Sequence, residues 1–277
     1  MALITLTSDI GIQDFMPAAI KGQLLQVNKD AQVIDITHLL PPFNYPQAAY
    51  VCRNAIENFP PGTFHIVLVD FFNEKPQHLL IAEHNEQFIC CADNGLISMI
   101  LESLPQKVVA LHLDKTAQKN TLYCTRIFAE AIEKLATGMP IEEVGDTTVN
   151  IQVKNALRPM LGPAWIEGQI IFIDNFENVV VNIRKDEFEE QRKGRRFVIE
   201  FKRDEVIDRI SESYADVPDG EKLALFNSAG YLEIAINKGN AAGLFGLQGY
   251  SEKLIQQTQV QFMSNQLIYQ TVKVYFE

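Results

Sequence analysis

Four carboxylates stand where apolar runs stop: Asp9 and Asp14 after the run that begins at Ala2, Asp70 after residues 63–69, and Asp93 after residues 87–91. An apolar run that ends in polar residues and glycine reads as a central strand of an α/β sheet, and such sheets bind ligands in the crevice beyond the carboxyl ends of their strands. Carboxylates on such a rim occur in nucleotide-binding sites and in metal-dependent phosphohydrolases, and equally as helix caps or turn residues. Two later loops carry a different set: Asp174-Asn175-Phe176-Glu177-Asn178 and Phe226-Asn227-Ser228-Ala229-Gly230-Tyr231. A purine needs a flat aromatic wall with donors and acceptors for its edge, and an amino-acid head group needs a carboxylate for its ammonium. Both loops could supply that set, and both have the composition of hairpin turns.

The elements that must position these groups follow from periodicity. Residues 17–27 carry apolar side chains at helical spacing, with Pro17 acceptable in a first turn. A strand over 32–37, a loop through Pro41-Pro42, a helix over 47–58 and the strand-like TFHIVLV at 63–69 continue the alternation, which predicts a mostly parallel sheet. Residues 79–83 and 87–91 read as paired strands around His84-Asn85, and helices over 95–104 and 125–137 flank a strand at 107–113. Prolines and glycines concentrate in NALRPMLGPAWIEG, residues 155–168, and mark a boundary between an α/β domain at 1–157 and a second domain at 158–277. Beyond it, short strands at 169–173, 179–183, 196–202, 222–227, 231–236 and 260–276, with no strong helix, predict an all-β, barrel-like C-terminal domain.

The 277 residues, 47% hydrophobic and 21% charged, are those of a globular protein with ample core. A formal net charge of −11 argues against nucleic acid and anionic membranes as partners. The one dense basic run, Arg192 to Arg196, lies between acidic neighbours and reads as a hairpin tip. No signal peptide or membrane span is evident, so a cytoplasmic location is expected. Cys52, Cys90, Cys91 and Cys124 lack metal-ligand spacing and read as reduced core residues, Cys90 and Cys91 on opposite faces of a strand, with no metal expected.

Taken in order, TLTSDIGIQDF (residues 5–15), IDITH (34–38), VLVD (67–70), ADNGL (92–96), IDNFENVVVNI (173–183) and FNSAGYLEIAINKGNAA (226–242) resemble the S-adenosylmethionine (SAM) hydroxide adenosyltransferase family, relatives of the SAM-dependent fluorinase and chlorinase. The resemblance spans almost the whole chain. It implies an N-terminal α/β domain, a C-terminal β-barrel, and a homotrimer holding SAM between the first domain of one subunit and the second of its neighbour. It implies SAM as substrate or ligand and no further cofactor. By the match, Asp9 holds the ribose hydroxyls, with Ser8 and Asp14 nearby in the pocket. Asp174 pairs with the methionine ammonium, Phe176 is the wall beside adenine, Asn178 reads its edge, and Ser228 meets the methionine carboxylate.

The family reaction displaces neutral methionine from the sulfonium at ribose C5′, so the leaving group needs no general acid and catalysis rests on positioning and desolvating the nucleophile. Hydrolase-like members hold their water with an aspartate, an arginine seven residues later, and a histidine. Here Asp70 matches the aspartate, but Gln77 stands at the arginine position and Tyr123 at the histidine position. Neither carries the positive charge that favours hydroxide, and a tyrosine of ordinary pKa, about 10, is a poor base at neutral pH. His78, beside Gln77, is expected to face away from it in an extended segment. Three functions follow: a SAM hydrolase giving adenosine and methionine; a SAM- or adenosine-binding protein without turnover; and a metal-dependent phosphohydrolase using Asp9, Asp14, Asp70 and Asp93.

Overall fold

In the computed structural model, which describes residues 2–74, 76–202, 205–247 and 270–277, the chain divides into units Met1–Ala156 and Leu157–Glu277. The first unit runs β1 (Leu3–Ser8), α1 (Met16–Val27), β2 (Gln32–Thr37), α2 (Tyr45–Ile56), β3 (Phe64–Leu68), β4 (His78–His84), β5 (Gln87–Ala92), α3 (Leu96–Leu101), β6 (Lys107–His112) and α4 (Thr121–Ala136). Every residue of β3 is buried, as a central strand requires. Asn44 opens α2 by accepting the Gln47 amide at 3.1 Å, and Asn120 opens α4 by accepting the Tyr123 amide at 2.9 Å. These caps start α2 two residues and α4 four residues ahead of the apolar periodicity that predicts them.

The sheet order is β2-β1-β3-β5-β4-β6. Pairs β1–β2, β1–β3 and β3–β5 are parallel, whereas β4 is antiparallel to both β5 and β6. The sheet is therefore mixed, with three of its five pairings parallel, so the mostly parallel expectation holds in part. The antiparallel β4–β5 pair is the one expected around His84-Asn85. Because β4 alone is reversed, the carboxyl ends of β1, β2, β3, β5 and β6 share one rim with the start of β4. Side chains alternate between two cores: Cys90 packs with α1 and α4 on one face, and Cys91 with α2 and α3 on the other. Burial pushes the Cys52 thiol up to about 12.

The second unit comprises β7 (Met160–Gly162), β8 (Trp165–Ile173), β9 (Val179–Arg184), α5 (Lys185–Arg192), β10 (Phe197–Lys202), β11 (Glu205–Ile207), β12 (Lys222–Phe226), β13 (Tyr231–Ile236) and β14 (Thr271–Phe276). Its pairings are all antiparallel, in the order β11-β10-β14-β8-β9-β13-β12 with β7 on β8. The edge strands β11 and β12 come into contact, so the sheet curls into a nearly closed barrel. The last predicted strand is observed as β14, and residues 260–269 lie outside the described residues.

Helix α5 corrects the expectation of a helix-free second domain. Its sequence, KDEFEEQR, has one buried residue, Phe188, and so no apolar stripe to read. Acids in the first turn and Arg192 in the last complement the helix dipole. Phe188 itself sits among the rings of Phe197, Phe226 and Phe276 at 5.1, 5.3 and 5.6 Å. The basic run expected at a hairpin tip instead forms the end of α5 and the turn into β10.

Candidate active site

Because β5 lies between β3 and β4 in the sheet, the chain leaving β3 must cross the carboxyl end of β5 to reach β4. Asn94, just past β5, meets that crossing segment: its side-chain amide donates to the carbonyls of Val69 and Asp70 at 3.0 and 3.2 Å. Asp70 takes a left-handed backbone, φ 43°, which costs a non-glycine residue roughly 1–2 kcal/mol. Three contacts hold it there. Its amide donates to Asp9 Oδ2 at 3.0 Å, its carbonyl accepts from Asn94, and its carboxylate accepts from the Tyr45 hydroxyl at 2.8 Å. The geometry is thus set before any ligand arrives.

Asp9 Oδ2 also accepts the Phe43 amide at 3.2 Å, so one carboxylate joins the segments after β1, β2 and β3. Burial raises the Asp9 carboxyl above its ordinary range, against the pull of the Asp70 and Phe43 amides. Burial, followed by the Asp70 carboxylate, raises the Tyr45 phenol far above its own, which keeps it a donor. Lys154 Nζ lies 3.6 Å from the centre of the Tyr45 ring. The Lys154 stem runs over Gly95, φ 84°, where an added Cβ would meet it at 2.6 Å; only glycine fits this turn. Tyr45 and Lys154 carry no motif-like spacing and were not legible as site residues; a Phe-Asn-Tyr-Pro turn was the only signal.

Ser8 is buried and bonded to His38 Nδ1 at 2.7 Å, and His38 Nε2 lies 3.2 Å from Asp35 Oδ1. The Ser8–His38 bond ties the end of β1 to the segment just after β2, so Ser8 braces the strand end. Asp14 accepts the Met16 amide at 2.8 Å in a turn just ahead of α1.

Gln77 and His78 both line a small cavity of about 70 Å³, together with Phe71, Glu74, Asp93 and Asn94. Both contribute to the wall although β4 begins at His78 and Gln77 lies in the bend before it, so strand alternation does not relate the two. His78 Nε2 is 3.0 Å from Asp93 Oδ2, and Asp93 Oδ1 accepts the Gln152 amide at 2.8 Å. Tyr123 lies elsewhere. It packs with the core on the α1 and α4 face, and its hydroxyl accepts the Asp114 amide at 2.9 Å, whereas Tyr45 packs on the α2 and α3 face.

In the second unit, Asp174 closes the β8–β9 turn on itself: Oδ1 accepts the amides of Phe176 and Asn178 at 2.9 and 2.8 Å, and Oδ2 accepts the Asn178 side chain at 3.0 Å. The turn holds Phe176 out, 75% exposed, while Asn178 is buried. The Glu177 carbonyl accepts the Ala242 amide at 2.9 Å, which ties the Gly-Asn-Ala-Ala stretch to this loop. Ser228 is exposed at the β12–β13 turn, where Asn227 accepts the amides of Ala229 and Tyr231 at 3.0 and 3.1 Å. Val179 pairs with Ile234 and Arg184 with Tyr231, so the Asp174 and Ser228 loops sit at opposite ends of β9. Among the described residues no group of three or more His, Cys, Asp or Glu could hold a metal ion, and no helix is long and apolar enough to cross a membrane.

Comparison with known proteins gives two family matches: the SAM hydroxide adenosyltransferase N-terminal domain over residues 4–145 and the C-terminal domain over residues 168–252. The chain is 27% identical over 263 residues to an (R)-S-adenosyl-L-methionine hydrolase of Methanocaldococcus jannaschii, covering 90% of this chain and 94% of that one. It is 23% identical over 281 residues to a fluorinase of Actinopolyspora mzabensis, covering 89% and 94%. A crystal structure of an uncharacterized conserved protein from Thermotoga maritima superposes with a TM-score of 0.79 at 24% identity, covering 99% of each chain.

Proposed function

Since the chain belongs to the SAM hydroxide adenosyltransferase family, we propose that it cleaves the C5′–S bond of SAM with water, giving adenosine and methionine. The observation that carries this reading is the Asp9–Asp70–Tyr45 cluster, pre-set on the strand rim of a chain that matches both domains of the family. Asp9 receives the ribose hydroxyls through an ionised carboxylate, and Asp70 lies beside the attacking water. Ser8 and Asp14 shape the segment around Asp9. Phe176 and Asn178 take the adenine and Ser228 the methionine carboxylate. Their loops lie at opposite ends of β9, so they serve different parts of an extended SAM. Asp174, spent on its own turn, acts by holding that loop in shape, with the methionine ammonium as its further partner. The assembly is a homotrimer with an inter-subunit site, cytoplasmic, and dependent on no cofactor beyond SAM itself.

Catalysis on this reading is in-line displacement: water attacks C5′ as the bond to sulfur breaks and the electron pair stays on a neutral thioether. The second reading, a SAM- or adenosine-binding protein without turnover, is favoured by Gln77 and Tyr123 at the arginine and histidine positions. The metal-dependent phosphohydrolase has no ligand cluster to rest on among the described residues. The test is to incubate pure protein with SAM and with adenosine, following binding by calorimetry and products by chromatography. Adenosine and methionine forming faster than in protein-free buffer support the hydrolase. Binding without products supports the second reading, and no binding to either ligand overturns both.

A further inference from the structure

We propose that His78, oriented by Asp93, is the general base for the attacking water, replacing the family's arginine and histidine. The inference rests on the SAM-hydrolase reading. Its ground is the cavity whose wall contains Gln77, His78, Asp93 and Asn94. An ionised carboxylate only accepts hydrogen bonds, so the 3.0 Å contact from Asp93 Oδ2 fixes the proton of neutral His78 on Nε2 and leaves the Nδ1 lone pair for a water. Asp93 cannot turn away, because its other oxygen is held by the Gln152 amide at 2.8 Å. Nδ1 has no partner among the described residues. The cavity, about 70 Å³, has room for a few waters. It adjoins the backbone segment that carries Asp70: Phe71 in its wall follows Asp70 in the chain, and Asn94 in its wall donates to the Asp70 carbonyl.

The step balances without a further reagent. A water O–H bond breaks to His78 Nδ1 as its oxygen bonds to C5′, the C5′–S bond breaks with its electron pair left on sulfur, and His78 then releases the proton to solvent. Gln77, at the cavity wall, offers an amide donor to the same water. The other titratable groups near His78 are Glu74 in the cavity wall, His112 opposite it on β6, and Asp146, whose carboxyl is held below its ordinary range chiefly by the Thr148 hydroxyl and amide.

The test is adenosine formation from SAM between about pH 5 and about pH 9 by the full chain and its His78→Gln, Asp93→Asn and His112→Gln variants, with SAM binding by calorimetry. The wild type is expected to gain kcat with pH through one imidazole ionisation. His78→Gln should bind SAM within about twofold of wild type, lose ~100-fold or more in kcat, and lose that ionisation. Asp93→Asn should keep the ionisation at a shifted pH with kcat lower by roughly tenfold, and His112→Gln should leave it unmoved. A His78→Gln variant that cleaves SAM at near wild-type rate with the same pH dependence overturns the role of His78 and leaves the hydrolase intact. A wild type that binds SAM without cleaving it overturns the hydrolase and the base together.

Discussion

Acid should loosen the first unit through a residue that touches no substrate. His65 on β3 is 2% exposed, its Nδ1 is 2.8 Å from the Thr5 hydroxyl on β1, and the Phe59 ring edge packs on it at 5.8 Å. Burial lowers its pKa from 6.5 to about 4. A histidine depressed in the folded state stabilises the fold fully above its unfolded pKa and loses that contribution as pH falls towards the folded one. Going from about pH 8 to about pH 5, the unfolded chain takes up the proton over nearly 1.5 pH units while the folded chain does not, which removes ~2 kcal/mol. Hydrogen exchange of the β1 and β3 amides, corrected for intrinsic rates, should therefore show protection falling roughly 30-fold further in wild type than in His65→Gln. The variant costs stability at every pH, so only the difference in pH dependence counts, and carboxylate contributions common to both cancel. Equal pH dependence in the two proteins would refute the assignment of His65 as a buried neutral imidazole.

Three further outcomes follow from the geometry. Asp9→Asn removes the charge offered to the ribose while keeping an acceptor for the Asp70 and Phe43 amides; SAM and adenosine affinity should each fall ~10- to 100-fold by calorimetry, with the melting temperature little changed. Tyr45→Phe keeps the ring under Lys154 and removes only the hydroxyl on Asp70, so urea unfolding should show a loss of ~1–2 kcal/mol, and no loss would mean the bond is replaced by water. Asp174→Ala leaves the Phe176 and Asn178 amides without their acceptor; adenosine binding should weaken about tenfold, and unchanged binding would remove this loop from the adenine site.

The strands that carry the rim were legible because burial on both faces writes itself as an apolar run: TFHIVLV gives β3 almost to the residue, and the acids that end such runs do line one edge. Helix α5 was not, because a helix held by one phenylalanine and its end charges has no stripe. The β4–β5 hairpin was legible from two apolar runs flanking His84-Asn85, whereas the partnership of His78 with Asp93, 15 positions apart at the open end of that hairpin, left no local trace. Tyr45 was missed because a residue at a helix start contributes to no periodicity, although its hydroxyl fixes Asp70.

The bridge from β3 to β4, laid across the end of β5, has a consequence for divergence. Its Phe72, Asn73, Glu74 and Gln77 are exposed, and Phe71 is its buried anchor. Substitutions along it change which groups face the reaction while the sheet beneath keeps every strand pairing. Chemistry and foldability are thus placed on separate stretches of chain, and mutations can accumulate on the bridge without passing through unstable intermediates. Position 77 is the last residue of that permissive stretch, and His78 next to it already belongs to β4 and pairs with His112 of β6, so the proposed change of chemistry falls at the border between the two.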